Sequence, residues 1–439
     1  MEVMWSITRG LIAAGVFLGI AYLISSNRKK INFSLVAWGL GLQVGFAILV
    51  LKVDFISKGF QIVANAFTNM LEISDAGAEF LFGSLIDPSQ SWGYLFAFKV
   101  LPTVVFFSAL MSLLYYIGVM QRIVYAFAWV MKKSMKLSGA ESLAAAANIF
   151  VGQTEAPIMV KPYIDKMTKS EIMALMTGGM ATIAGAVLAT YIGFLGDNWA
   201  GISGVELEEA RTLFATHLLT ASIISAPAAL LFAKMIIPET EKVNEDLIIS
   251  KEKSGKNVLD AISNGTTQGV KLAVNVGAML LVFTAMMYGL NSIMGWIGEI
   301  TNINDSIAAL SNGKFDKLSL QFVLGYVMAP IAWLLGVANE DITTVGMLLG
   351  EKTILNEFYA YASFADLLKN GVITNEKSVI IATYALCGFA NFASIGIQIG
   401  GIGVLAPGKR VMLSSLGVKA LIAGTLACLM TGAIAGILV

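Results

Sequence analysis

Apolar runs long enough to cross a bilayer recur along this chain, and most of its polar residues sit in the segments between them. A crossing helix needs roughly 20 apolar residues. The first such stretch runs from about Leu11 to Ser25, and others fall near 31–51, 94–120, 170–195, 213–236, 270–294, 378–404 and 412–438, predicting eight crossings. The first ends in Asn27-Arg28-Lys29-Lys30 rather than in a small-residue cleavage site, so it reads as a span and not as a cleaved leader. Two further stretches, 55–85 and 121–137, are amphipathic and flanked by charge, which places them along the interface.

Two apolar segments are too broken to cross. Residues 139–166 run from a helix former (Ala144 to Ala147) into Gly152, polar residues, and Glu155 two positions before Pro157. That order predicts a helix, a turn and a second helix with Pro in its first turn, each arm about a dozen residues long. Residues 338–368 are interrupted in the same way by Gly346, Gly350, Glu351, Lys352, Asn356 and Glu357. Both segments read as re-entrant helical hairpins, entering from opposite faces. Their irregular tips require protein or trapped water around them at membrane depth. Each is preceded by an apolar or amphipathic stretch (121–137, 320–336) and followed by a broken span and an intact one (170–195 with 213–236, 378–404 with 412–438). The fold class is therefore all-α and polytopic: eight transmembrane helices plus two re-entrant hairpins, arranged as an inverted repeat with discontinuous helices, the architecture of secondary transporters. It divides as 1–120 (N-terminal spans, interfacial helix and scaffold), 121–237 (first repeat), 238–319 (a cytoplasmic linker over 238–268, a scaffold span and an outer loop) and 320–439 (second repeat).

Basic residues set the direction. Arg28, Lys29 and Lys30, then Arg122, Lys132, Lys133 and Lys136, then Lys161, Lys166 and Lys169, then Lys242, Lys251, Lys253 and Lys256, then Lys409 and Arg410 all fall on one side if the spans alternate. That side is read as cytoplasmic, with both termini outside. Lys99, Lys271 and Lys419 read as snorkelling from span ends, and His217 as interfacial at the mouth of its span.

Composition narrows the function. The chain is 57% hydrophobic and 13% charged, with mean hydropathy +0.77, which excludes a water-soluble globule. Its 29 basic residues balance 29 acidic ones, leaving no basic surface for nucleic acid. Cys387 and Cys428 build no disulfide framework, and the single His217 excludes paired-His haem ligation and most zinc chemistry. An intramembrane enzyme would need a nucleophile–base pair or metal ligands at depth, and none is visible.

A carboxylate at the bilayer centre costs at least ~3 kcal/mol, so Glu155 and Glu357 point to function. Asn148, Gln153, Thr154, Thr182, Asn356, Asn391 and Ser394 gather with them in sequence. This set is rich in amides and hydroxyls with no clear cationic companion, and suits a neutral, polyhydroxylated ligand. Phe389 and Phe392 add ring surface for a planar part of it. The Asn148 amide oxygen, the Thr182 hydroxyl and carbonyls freed at a helix break are oxygens fit for a small hard cation.

Three motifs in order, Gly152-Gln153-Thr154-Glu155-Ala156-Pro157, then Gly350-Glu351-Lys352-Thr353 with Asn356-Glu357-Phe358, then Gly388-Phe389-Ala390-Asn391-Phe392, closely resemble the concentrative nucleoside transporter family in its bacterial eight-span form. Leu101-Pro102-Thr103 through Gly118-Val119-Met120 is similar to the family's third span, and the resemblance covers roughly 95 to 410. It implies import of nucleosides (uridine, adenosine or similar) by symport with sodium through alternating access, in a homotrimer of a bacterial inner membrane. It implies that Gln153, Thr154 and Glu155 bind the nucleobase against Val187 and Phe389, and that Glu357, Asn391 and Ser394 hold the ribose. By the same resemblance sodium sits on Asn148, Thr182 and the carbonyls of Val151 and Ile183. Thr182 stands where serine is common, and Tyr359 where the family usually has valine. Proton coupling is the alternative within the family, and a channel is the alternative outside it.

Overall fold

The computed structural model describes residues 2–87, 95–243, 255–311 and 313–439, and among them no strand occurs. Helices α1 (Glu2–Leu23) and α2 (Phe33–Lys52) lead into a long amphipathic helix, α3 (Asp54–Phe82). One face of α3 is buried, through Ala64, Thr68, Leu71, Ser74 and Ala78 at helical spacing. Next come α4 (Phe96–Tyr116) and the amphipathic α5 (Val119–Met135), whose stripe of Met120, Val124, Ala128, Met131 and Met135 faces inward.

The first hairpin follows as α6 (Gly139–Asn148), a tip, and two short helical turns, α7 (Ala156–Met159) and α8 (Lys161–Ile164). The sequence pattern predicts a single second arm here. Pro162 divides it: it supplies no N–H, and both turns carry Pro in their first turn. The first broken span is α9 (Lys169–Ala181) and α10 (Gly185–Ser203), followed by α11 (Leu207–Ile236). Then come α12 (Val258–Ile300), α13 (Asn304–Leu310) and α14 (Leu320–Leu335). The second hairpin is α15 (Ile342–Ile354) and α16 (Glu357–Lys369), the second broken helix α17 (Glu376–Leu386) and α18 (Phe392–Leu405), and the last helix α19 (Arg410–Leu438). The order helix, hairpin, broken helix, intact helix thus occurs twice.

Seven helical runs among the described residues are long and apolar enough to cross a membrane, α9 with α10 counting as one. The stretch 378–404 is delivered as α17 and α18, 11 and 14 residues long and separated by an irregular segment. One sequence expectation fails in part at 238–268, read as a linker: residues 258–268 are the first turns of α12, a helix of 43 residues. At 1.5 Å per residue α12 runs about 65 Å, twice the hydrocarbon thickness. Residues 244–254, with Lys251 and Lys253, lie outside the described residues.

The core is built from α9, α10, α11 and α19. The apolar window of α11 is fully buried, whereas that of α12 is only 11% buried. Leu281, Met286 and Tyr288 of α12 stand outward, a surface made for lipid or protein rather than water. On its other side α12 packs on α4 through glycines: a Cβ at Gly265 would lie 2.8 Å from the Cα of Ala109, and one at Gly269 2.7 Å from that of Val105. Only small residues allow such backbone approach. At one end of the core the Lys234 ammonium on α11 lies 2.6 Å from Glu141 and 3.2 Å from Glu239. Glu141 and Glu171 also complete capping boxes with Ser138 and Thr168, which start α6 and α9. Lys99 pairs with Asp75 of α3 at 3.4 Å, beside the Arg211–Asp197 pair at 2.7 Å. His217 is buried, its Nδ1 3.1 Å from the Tyr384 hydroxyl.

Candidate functional site

Three irregular segments meet inside the core. The Gly185 N–H donates to Phe150 O at the first hairpin's tip (2.9 Å), and the Phe389 N–H donates to Thr182 O (3.3 Å), tying the two span breaks together. Gly388, at φ +142°, permits this contact: a Cβ there would lie 2.8 Å from Ala181 O and 2.6 Å from the Cys428 sulfur.

Around this junction stand the polar residues. Asn391 begins α18 as its N-cap, its Oδ1 accepting from the Ser394 N–H (2.9 Å) while its Nδ2 donates to Glu357 Oε2 (2.7 Å). Glu357 is the first residue of α16, and its other oxygen accepts from the Tyr191 hydroxyl at 3.4 Å. The Tyr191 ring stacks on Tyr361 with centroids 4.0 Å apart. Gln153 donates to the Ser394 hydroxyl oxygen (3.1 Å) and accepts from Gln398 Nε2 (3.1 Å). Glu357, Asn391, Ser394 and Gln153 are all buried. One carboxylate, braced by an amide and a phenol and within electrostatic range of the buried Lys352 ammonium, is thus bonded only to uncharged groups, which fits a polar, uncharged ligand.

The cation candidates also come together. Asn148 closes α6 with 1% exposure, and neither of its side-chain polar atoms has a hydrogen-bond partner. Its amide lies against Gly178, where a Cβ would be 3.1 Å from Nδ2. Thr182 Oγ1 donates to the carbonyl of that same Gly178 (2.9 Å), leaving its lone pairs free. An orphaned buried amide oxygen and a hydroxyl oxygen with its lone pairs still open, on either side of one backbone unit, match the hard-oxygen set a small cation needs. Ile183 is buried and Val151 partly buried in the adjoining tip and break.

Not every expected residue joins the cluster. Val187 is buried in the first turn of α10, and Phe389 is partly buried in the second break. Thr154 turns its methyl toward Gly401, where a Cβ would lie 3.0 Å from Thr154 Cγ2, so that glycine serves close packing. Glu155 is exposed and folds its carboxylate over Gly152, apart from the Gln153–Ser394–Asn391–Glu357 network. Phe392 is 56% exposed and offers the site no ring surface, because the turn of α18 directs it outward. Asn356 is spent as the N-cap of α16, accepting from the Tyr359 N–H at 2.8 Å. Lys352, buried beside the second hairpin's tip, donates to Ala385 O at the end of α17 (3.0 Å). Tyr191 and Gln398 escape a reading of the pattern, since each sits in an apolar helix. The one local signal is spacing: each lies four residues after an expected site residue, Val187 and Ser394.

The fold and this site define a polytopic membrane transporter. Family models with the descriptions "Na+ dependent nucleoside transporter N-terminus", "Nucleoside recognition" and "Na+ dependent nucleoside transporter C-terminus" match residues 12–85, 97–198 and 217–436. An uncharacterized transporter of Haemophilus influenzae is 41% identical over 438 residues, covering 99% of this chain and 98% of its own length. Solute carrier family 28 member 3 of Mus musculus is 40% identical over 96% of this chain, which spans 58% of the mouse protein. CNTnw in an inward-facing substrate-bound state superposes with TM-score 0.87 at 38% identity, over 99% of this chain and 98% of that one. A doubly substituted CNTnw in an outward-facing state gives TM-score 0.87 at 37% identity, over 100% and 98%. The chain belongs to the Na+ dependent nucleoside transporter family, whose members here are transporters and not enzymes.

Proposed function

We propose that this chain imports nucleosides by symport with sodium, exposing one midplane site alternately to the two sides of the membrane. The observation that carries the reading is the buried Glu357 carboxylate, braced by Asn391 and Tyr191 beside the Gln153–Ser394 pair. In this reading Glu357, Asn391 and Ser394 take the ribose hydroxyls, and Gln153 and Thr154 meet the nucleobase between Val187 and Phe389. Glu155 joins them through water. Sodium travels on Asn148, Thr182 and the carbonyls of Val151 and Ile183.

The hairpins re-enter from opposite faces, and α17 with α18 makes the eighth crossing. The stretches 121–237 and 320–439 act as inverted repeats, joined by 238–319 and preceded by 1–120. Both termini lie outside a bacterial inner membrane, and the chain works as a homotrimer. One relative, CNTnw, captured in both inward-facing and outward-facing states, supports a moving site. Sodium binding at the Asn148–Thr182 corner orders the hairpin tip bonded to the first break, and so couples the ion to the adjoining ligand site.

The test is labelled-uridine uptake into proteoliposomes of the purified chain under an inward sodium gradient, an inward proton gradient, or neither. Accumulation with sodium alone supports the proposal. Accumulation with protons alone moves the coupling ion off Asn148 and Thr182. Unsaturable flux under every condition indicates a channel, and failure to bind or accumulate either uridine or adenosine overturns the nucleoside reading.

A further inference from the structure

We propose that Gln398 sets which nucleobase edge this transporter accepts, by fixing the direction of the Gln153 amide through a one-way hydrogen-bond relay. The inference rests on the nucleoside reading above. The relay begins at the Met176 carbonyl on α9, which can only accept. The Gln398 atom 2.9 Å from it must therefore be the amide nitrogen. The second hydrogen of that nitrogen reaches Gln153 at 3.1 Å, so the Gln153 atom there must be its oxygen. The Gln153 nitrogen then lies on the opposite side, 3.1 Å from the Ser394 hydroxyl oxygen. An amide's two ends are distinguished only by their hydrogen-bond partners, and here one backbone carbonyl settles both amides.

This corner of the site consequently presents a donor. Gln153 offers the base its second N–H, the first being given to the Ser394 oxygen on the ribose side. Turning the Gln153 amide over would set two NH2 groups against each other in a region where Gln398 is wholly buried and Ser394 1% exposed. Gly179 keeps the space for the pair: a Cβ there would lie 2.7 Å from Gln398 Nε2 and 2.9 Å from Gln153 Cβ. Gln398 spends its nitrogen on both bonds of the relay while its own Oε1 is buried without a hydrogen-bond partner. An apolar side chain of the same length would spare that atom but leave the Gln153 oxygen without its donor. The ligand chemistry follows: a base turning a carbonyl oxygen toward this corner is preferred, and one turning an exocyclic amine binds more weakly, since two donors then face each other unpaired.

The experiment is equilibrium binding of uridine, cytidine and 2′-deoxyuridine to the full chain in lipid nanodiscs at saturating sodium. It compares the unmodified protein with Gln398→Met and Gln398→Glu. The unmodified protein should bind uridine about tenfold more tightly than cytidine, the scale of one mispaired buried group. Gln398→Met frees the Gln153 amide to turn and should collapse that ratio to about twofold, leaving the uridine to 2′-deoxyuridine ratio and the half-saturating sodium concentration unchanged. Gln398→Glu, protonated so that its one hydrogen serves Met176 O, presents an acceptor to Gln153, and the preference should invert toward cytidine. A base ratio that survives Gln398→Met overturns the relay. So does an unmodified protein that fails to discriminate, a parallel change in base and ribose ratios, or loss of all nucleoside binding in both variants. If the unmodified protein binds no nucleoside, the function itself fails, an outcome distinct from failure of the relay.

Discussion

Glu357→Gln probes the centre of the site with little change of shape. Asn391 Nδ2 donates to one carboxylate oxygen at 2.7 Å and the Tyr191 hydroxyl approaches the other at 3.4 Å. A glutamine keeps an oxygen for Asn391 and turns its NH2 to Tyr191, whose phenol also accepts, so the fold should survive. What is lost is charge. A hydrogen bond to a charged group contributes about 1.5–3 kcal/mol and a neutral one about 0.5–1.5, a difference of roughly 1–1.5 kcal/mol per bond. Two ribose hydroxyls donating to this carboxylate would together lose about 2–3 kcal/mol, or roughly 30- to 150-fold in uridine affinity. Titration calorimetry of both proteins with uridine and 2′-deoxyuridine measures the loss and locates it. In a double-mutant cycle the penalty for removing the hydroxyl should shrink in Glu357→Gln, because the partner it lost is already weakened. Uridine affinity within about threefold of the unmodified protein, or an undiminished deoxy penalty, refutes the ribose assignment.

Thr182→Val keeps the side-chain shape but removes the hydroxyl held at Gly178 O, and should raise the half-saturating sodium concentration about tenfold, the cost of ~1.4 kcal/mol for one lost oxygen, with uridine affinity at saturating sodium nearly unchanged. An unaltered sodium dependence of uptake would remove Thr182 from the ion site. Gly388→Ala forces a Cβ against Ala181 O and the Cys428 sulfur at a positive φ, and should destabilise the protein by about 2–4 kcal/mol. Thermal unfolding in detergent with an unchanged midpoint would contradict that packing. Burial raises the Glu239 carboxyl, but the Lys234 ammonium and hydrogen bonds from the Glu241 N–H, Thr168 and Lys234 outweigh it and hold the group below its ordinary value of 4.5. Its contribution to stability is therefore complete above pH 4.5 and is lost as pH falls through the lowered folded-state value. Melting points against pH should show Glu239→Gln less stable than the unmodified protein above pH 4.5, with the gap closing in acid; a gap independent of pH refutes the pairing.

Much of the site was legible because helix breakers act locally. Gly152, Pro157 and Gly388 interrupt apolar runs wherever those runs pack, and the caps Asn356 and Asn391 begin helices within three residues of themselves. The roles that were misread depend on rotation about a helix axis. Phe392 and Phe389 are three residues apart around one break, yet Phe392 faces outward. Asn356 and Asn391 are alike in sequence, and both cap a helix, but only Asn391 has its NH2 against a carboxylate. Tyr191 and Gln398, in apolar helices, carry no signal beyond their spacing of four residues from Val187 and Ser394. They join the candidate site because Glu357 and Gln153 arrive beside them, from 166 and 245 positions away.

Composition and the length of the apolar runs determined that this chain is helical and membrane-embedded, and the broken motifs determined where its chemistry lies, because hydrophobic transfer and backbone hydrogen-bond satisfaction are decided residue by residue. Tertiary structure alone decided that the two breaks bond to each other, that Asn148 is left unpaired beside Thr182, and that a backbone carbonyl at Met176 orients two glutamines. Those facts come from which helix faces meet, and that is a property of the whole packed bundle rather than of any one segment.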